Sequence, residues 1–450
     1  MSRKVHFVGI GGSGMSALAH VLHGRGESVT GSDQEATPYV RALQEAGVNI
    51  SIGHNPGNVT GADLVVSSSA IPESNVELQV AVDVGIPVKR RQEFLDELTR
   101  DYDTVAIAGT HGKTTTTGMV AWILDQAGFD PSFVVGGLLP DFGANGKAGK
   151  GSYFVIEADE YDNAFLGLHP AIAVVTNVEH DHPDFFPTYE DVVNAFQTFV
   201  GQVKEKLIIC ADDPGAFSLS YKGVERITYG FEPSAHWRAE EVRANAAGGM
   251  DFLLIKGEEL LGLVRTRLPG EHNVSNALAA FAVADALQIP FAISRDAMTK
   301  FHGAGQRFEI LGVVNDIAII DDYAHHPTEI RATLSTSKLR YPQAEIWAVF
   351  QPHTYSRIKT LLAAYRTAFG DADHVIVTEV FGAREEADGV ISGEFVANEI
   401  DHVDVRFIGD FNEIAEELAR NVRVGDVVVT MSAGDANQVG RNLLKILEGI

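Results

Sequence analysis

The sequence predicts an α/β protein of three domains, and three observations carry that prediction. Short β-branched runs alternate with stretches of helical spacing from one end to the other. The alternation restarts twice, near Asp103 and again near Glu309. The chain has 450 residues, about three times the roughly 150 residues of an average domain.

Val5–Ile10 is a short apolar run closed by glycines, which is how a buried parallel strand reads. Met15, Leu18, Ala19 and Leu22 then fall on one helical face. Ser28–Asp33 reads as a second strand, Val40–Ala46 as a short helix and Asp63–Ser67 as a further strand. After the first restart come a strand at Thr104–Ala108, a helix from about Lys113 to Ala127, and strands at Tyr153–Ile156 and Ala171–Val175. The loose segment Phe301–Gly305 precedes the second restart, whose strands are Ile317–Ile320, Ile346–Phe350, His374–Thr378 and Val427–Thr430.

Composition narrows the function classes. Thirty-five Lys and Arg against 61 Asp and Glu give a net charge of −26, a field that repels nucleic acid and anionic membranes. No apolar stretch of membrane-spanning length occurs. Met1-Ser2-Arg3-Lys4 runs directly into an apolar strand without the pattern of a secretory leader, so a cytoplasmic location is expected. The one cysteine, Cys210, lies in an apolar run and reads as a core residue.

Two glycine loops suggest two phosphorylated ligands. Gly9-Ile10-Gly11-Gly12-Ser13-Gly14 follows a strand, opens a helix and has Asp33 about 20 residues on, the pattern of a dinucleotide site. An NAD-type ligand, another diphosphate such as a nucleotide-sugar, and an unliganded turn all fit it. Gly109-Thr110-His111-Gly112-Lys113-Thr114-Thr115 is a phosphate loop whose amides can cradle phosphates, with Lys113 reaching the β/γ oxygens and the Thr114 hydroxyl reaching Mg²⁺. It departs from the strict pattern at Ile107, where the first glycine would stand. A chain with both loops fits a ligase or a kinase better than a dehydrogenase.

Acids and histidines follow several strands. Glu157-Ala158-Asp159-Glu160 sits where open sheets place ligands and can hold Mg²⁺. Asn177 to Asp184 combines His180, His182 and carboxylates at a density that suits a divalent ion, with a zinc hydrolase as the other reading. Asn273 and Asn276, three apart on a helix, can read an adenine edge or serve in capping. Asp321-Asp322-Tyr323-Ala324-His325-His326 and Gln351-Pro352-His353-Thr354-Tyr355-Ser356-Arg357 end two strands taken as neighbours, which suggests a pocket with Arg357 as a carboxylate fork.

Taken in order, these motifs resemble the Mur ligases, the ATP-dependent amino-acid-adding enzymes of peptidoglycan synthesis, over nearly the whole chain. The Gln351-Pro352-His353 and Tyr355-Ser356-Arg357 segment resembles the alanine-adding branch. The resemblance implies a Rossmann-like N-terminal domain for a UDP-sugar (1–103), a central P-loop-type ATPase domain (104–309) and a Rossmann-like C-terminal domain for the amino acid (310–450). It implies UDP-N-acetylmuramate at Gly9, Gly11, Gly12, Gly14, Asp33 and Ser68. ATP is implied at Gly109, Thr110, His111, Gly112, Lys113, Thr114, Thr115, Asn273, Asn276 and Arg307. Magnesium would sit at Thr114, Glu157 and His182, and L-alanine at Tyr323, His353 and Arg357. Lys113, His182 and Arg307 would be the catalytic residues, His182 or His353 the base, and the protein a monomer or homodimer. Domain closure would bring the amine to an acyl phosphate.

Three positions depart from the family pattern: Gln306 precedes Arg307 where an Arg-Arg pair is usual, His180 stands in place of a common proline, and Ser432-Ala433-Gly434-Asp435 matches the glycine-rich end only in part. The rival readings are the related ligase that reattaches recycled peptide, an NAD-dependent oxidoreductase using the first loop alone, and a non-catalytic nucleotide sensor.

Overall fold

The structure is a computed structural model describing residues 2–387 and 389–449. Its described strands form three sheets in succession along the chain. The first contains five parallel strands, in spatial order Asn49–Ile52, Ser28–Asp33, Lys4–Val8, Leu64–Ser67 and Val88–Arg90. The chain winds one way from Lys4–Val8 and then the other, so a crevice opens at that strand's carboxyl end, where Gly9–Gly12 leaves it.

The central sheet has ten strands. Asp103–Ala108 lies inside it between Tyr153–Glu157 and Ile172–Val175, all parallel and almost wholly buried. Helices Lys113–Gln126 and Glu271–Ala286 pack together on one face; both are buried nearly all round. Antiparallel hairpins finish both edges: Ser132–Leu139 with Ala144–Lys147 at one, and Trp237–Ala244, Met250–Lys256 and Glu259–Arg265 at the other. The alternation of strand and helix did not announce these hairpins. Trp237–Ala244 carries charges such as Arg238, Glu240 and Arg243 and is largely open to water, and the outermost strand, Glu259–Arg265, is mostly exposed as well.

In the third sheet, antiparallel Glu309–Val314 borders Ile317–Asp322, followed by Val427–Met431, Ile346–Phe350, His374–Val377 and Val405–Phe407, all parallel. This corrects the expectation that the strands ending at Asp322 and Phe350 are neighbours: Val427–Met431 lies between them. Helices cover both faces there, and every residue of that late strand is buried, so it takes an interior position.

The domains meet closely. One apolar core runs from Val5, Leu18 and Phe94 into Phe154, Phe165 and Phe199 of the central domain. Asn145 Nδ2 donates to Ser13 O (2.8 Å) and Ser16 Oγ (2.9 Å), and Gly146 lies so close to the Ala17 carbonyl that a Cβ would collide with it. The central and third domains meet through the charged side chains that build the site.

Candidate active site

The first loop turns at Gly9, whose positive φ of 78° favours glycine, and packs against Ser68 and Ile71. The helix Ser13–Gly24 that follows has no side-chain N-cap bond, so its first amides face the crevice. Gly11 N donates to Asp33 Oδ2 (2.7 Å), and Thr37 Oγ1 donates to Gly11 O (3.0 Å). Asp33, read as the acid of a dinucleotide fingerprint, thus closes onto the loop's own amide. At Gly14 the missing side chain makes room for Arg91: an added Cβ would lie 2.9 Å from its Cζ. Arg91 Nη1 donates to Asp159 Oδ2 (2.9 Å) of the central domain, and Arg90 Nη1 donates to the carbonyls of Ser68 (3.2 Å) and Ile71 (2.9 Å). Sequence reasoning did not single out either arginine; their roles come from contacts with Gly14, Ser68, Ile71 and Asp159, most of them distant along the chain.

The second loop needs glycine twice. Gly109 has φ 139° and a Cβ there would overlap the Thr176 hydroxyl; Gly112 has φ 81° and faces Asn276 Oδ1. Asn177 holds the loop from the next strand, its Oδ1 accepting His111 N (2.7 Å) and its carbonyl accepting Thr110 N (3.0 Å). Lys113 Nζ donates to Gly109 O (2.6 Å) and Thr110 O (3.1 Å) and lies 2.8 Å from Glu160 Oε2. Burial alone would lower the Lys113 pKa, but Glu160, Asp159 and Glu157 more than offset it and keep the ammonium charged. Thr114 Oγ1 donates to Glu157 Oε1 (3.1 Å), whose other oxygen accepts Gly136 N (2.6 Å).

Thr114 and Glu157 offer the hard oxygens that Mg²⁺ prefers, one loop away from Lys113. His182 has a positive φ of 53°, its Nε2 is 3.7 Å from Asp181 Oδ2, and its ring lies 4.9 Å from that of Tyr161. The Tyr161 contact sets it beside the acidic segment Glu157–Glu160.

A cleft of about 320 Å³ runs between the phosphate loop and the third domain, lined in part by Thr115, Asn273, Asn276 and Arg307. Asn276 Nδ2 donates to Asn273 Oδ1 (3.3 Å) and Asn273 Nδ2 to Pro269 O (2.7 Å), so the two amides order each other on its wall. Cys210, expected in the core, is buried and also borders this cleft. The Arg307 guanidinium lies 4.9 Å above the Tyr323 ring and 3.8 Å from Glu329 Oε1. Gln306, in the place of the usual arginine, accepts Tyr323 N through its carbonyl (2.7 Å).

Arg357 is buried and already occupied. Its Nε donates to Asp181 Oδ1 of the central domain (2.7 Å) and its Nη1 to His353 Nδ1 (2.7 Å). Burial would raise the Asp181 pKa, but Arg357, His182 and His325 hold it well below the ordinary value. The His353 ring stacks on Phe381 (5.7 Å) and lies 5.6 Å from the His325 ring. Burial, then His325 and Arg357, lower His353 to about 2. His325 falls to about 4, chiefly by burial, and the neutral ring donates from Nδ1 to Tyr323 O (2.9 Å). Gln351, from the same motif, accepts Ser432 Oγ (2.5 Å), Asp435 N (3.0 Å) and Ala436 N (3.1 Å), which fixes the segment that only partly matches the family's glycine-rich end. His180, in the proline's place, bonds through Nε2 to Phe186 O (2.9 Å).

Sequence reasoning quoted Asp181, His325 and His326 inside motifs but gave them no roles, and it missed Glu329 as a partner of His111. The signal for Glu329 was its spacing from His326, which caps the helix Pro327–Arg340 while the Glu329 carboxylate reaches back to the His326 amide (3.2 Å).

A phosphate loop and a glycine-rich crevice on two open sheets, closed by a third such domain, define a three-domain ligase, and the chain belongs to the Mur ligase family. The models of that family match in succession: the Mur ligase family catalytic domain over residues 4–103, the middle domain over 107–284 and the glutamate ligase domain over 306–434. The UDP-N-acetylmuramate–L-alanine ligase of Caldanaerobacter subterraneus is 40% identical over 98% of this chain and 97% of its own. The solved UDP-N-acetylmuramate–alanine ligase of Thermotoga maritima superposes with a TM-score of 0.85 at 29% identity, covering 99% of each chain. A murein peptide ligase from Psychrobacter arcticus follows at 0.73 and 28%, covering 100% of this chain and 99% of its own.

Proposed function

We propose that this protein joins L-alanine to the lactyl carboxylate of UDP-N-acetylmuramate with hydrolysis of ATP, a step of peptidoglycan precursor synthesis. One observation carries the reading: Asp181, next to His182 on the nucleotide side, is bonded to Arg357 and through it to His353 on the third domain. A phosphoryl-transfer site and a pocket with carboxylate-binding chemistry therefore adjoin. The naming of the alanine ligase relatives supports the choice of substrates.

In this reading the muramyl carboxylate attacks the γ-phosphoryl group of ATP, giving an acyl phosphate and ADP. The alanine amine then attacks the acyl carbon, and orthophosphate leaves. A carboxylate repels nucleophiles and has no leaving group; phosphorylation removes both obstacles. The Lys113 ammonium, held in place by Gly109 and Glu160, exchanges those partners for phosphate oxygens and offsets the charge of transfer. Thr114, Glu157 and His182 would hold Mg²⁺, which supplies further charge neutralisation on the phosphates. Arg91 and the free amides of the first helix take the diphosphate of the UDP-sugar.

Arg357 positions the alanine carboxylate. His325 and His353 are neutral at physiological pH, so they add no cation that would repel an ammonium group. With its Nδ1–H held by Tyr323, His325 presents Nε2 as an acceptor for the amine. His353 accepts from Arg357 at Nδ1 and is the weaker candidate for the base.

An ADP-release assay with UDP-N-acetylmuramate and a panel of amino acids tests the proposal. Release with L-alanine and a product heavier by one alanyl residue is expected. Release only with the L-Ala-γ-D-Glu-diaminopimelate tripeptide would move the assignment to the recycling ligase. Hydride transfer to a nicotinamide, with no ADP formed, would overturn it.

A further inference from the structure

Between the phosphate loop and the third domain, at the border of the nucleotide cleft, lies a side-chain set to which the ligation chemistry above gives no catalytic role. His111 of the loop, Glu179 beyond the strand Ile172–Val175, and His326 at the start of the helix Pro327–Arg340 each offer one ligand atom, all within 4.8 Å of one another. His111 Nε2 is 3.7 Å and His326 Nδ1 3.8 Å from the same oxygen, Glu179 Oε2. His111 Nε2 is buried and lacks a hydrogen-bond partner, as does Nε2 of His326, a residue only 4% exposed whose Nδ1 accepts Thr328 N (3.3 Å). A buried imidazole nitrogen without a partner is costly unless something binds it.

The surroundings orient these groups as the outer shell of a metal site does. His111 Nδ1 pairs with Glu329 Oε1 (3.1 Å), the carboxylate–imidazole arrangement that turns the opposite nitrogen toward a metal. Thr328 Oγ1 donates to Glu179 Oε2 (2.7 Å) and fixes that carboxylate. Tetrahedral zinc, with bonds of about 2.0–2.1 Å, spaces its ligands about 3.3 Å apart; the two imidazole–carboxylate separations, 3.7 and 3.8 Å, need to close by about half an ångström, and the two imidazole nitrogens lie within 4.8 Å of each other. Two imidazoles and one carboxylate suit zinc, cobalt or nickel; magnesium prefers oxygen.

We propose that His111, Glu179 and His326 form a transition-metal site of the zinc class that spans the central and third domains, separate from the Thr114, Glu157 and His182 set. Glu179 is partly exposed, which leaves the fourth position to water. Because His326 comes from the third domain, a bound ion pins that domain to the phosphate loop and slows the reopening that product release requires.

The test titrates the metal-free, full-length protein with Co²⁺ in excess Mg²⁺. One equivalent is expected to give the intense visible bands of four-coordinate cobalt, and Zn²⁺ to abolish them. His326→Asn keeps an acceptor for the helix cap, and Glu179→Gln keeps a partner for Thr328. Each is expected to remove the bands and to weaken zinc, measured against a chromophoric chelator, by more than about a hundredfold, the upper end of outer-shell effects. Zinc is expected to raise the thermal midpoint of the parent and of neither variant. Weak six-coordinate bands alone, or zinc affinity unchanged in both variants, would overturn the proposal.

Discussion

Asp181→Asn removes one charge from the ion pair that crosses from the central to the third domain. Arg357 is 2% exposed and Asp181 5%, with the pair at 2.7 Å. Removing one member of a buried pair strands the other charge at a cost of about 3–5 kcal/mol. The pair joins the central to the third domain, so the cost falls on the docking of the two. If turnover requires the docked arrangement, kcat/KM for the amino acid falls roughly a hundredfold to a few thousandfold. The assay combines ADP-release kinetics with hydrogen exchange of the segment Tyr355–Tyr365. Faster exchange there and an unchanged thermal midpoint are expected. Adding Arg357→Met removes the stranded charge, so exchange protection returns while activity does not. Rates within about threefold of the parent, with unchanged exchange in Asp181→Asn, would refute the reasoning.

Glu77 is buried in the first domain, where it accepts from Ser32 Oγ (2.5 Å), Asn58 Nδ2 (2.6 Å) and Asn55 N (3.0 Å). Burial opposes its ionisation, but hydrogen bonds from His6, Ser32 and Asn58 lower its pKa to about 2. The unfolded chain binds the proton more readily, so the Glu77 contribution, about 3 kcal/mol, is complete above pH ~4.5 and is lost as pH falls toward 2. Denaturant midpoints at pH 7 and pH 3 should therefore differ less in Glu77→Gln than in the parent. Gly109→Ala is expected to abolish nucleotide binding in calorimetry, because its Cβ meets Thr176 at a φ of 139°. Gly14→Ala meets only the movable tip of Arg91, and should raise KM for the UDP-sugar while leaving nucleotide affinity intact. Gln351→Ala leaves two buried donors, Ser432 Oγ and Ala436 N, without their acceptor, and should lower third-domain stability by about 1–3 kcal/mol, read as faster hydrogen exchange in Val427–Met431.

The sequence by itself determined the elements and loops whose causes are local. Gly109 and Gly112 require positive φ, apolar runs such as Thr104–Ala108 fit a buried strand, and Lys113 is the first residue of the helix that its loop opens. The alternation of strand and helix likewise sets three α/β units, because parallel strands need covered crossovers. Tertiary structure decided whatever depends on groups distant along the chain. Asp181 is 176 residues from Arg357 and His111 is 218 from Glu329, and no local pattern encodes either pairing. The position of Val427–Met431 between two earlier strands is of the same kind, since an apolar strand reads alike wherever it is inserted. The protonation of His325 and His353 was also beyond the sequence. It follows from how much water and how many charges surround each ring, and packing alone fixes both.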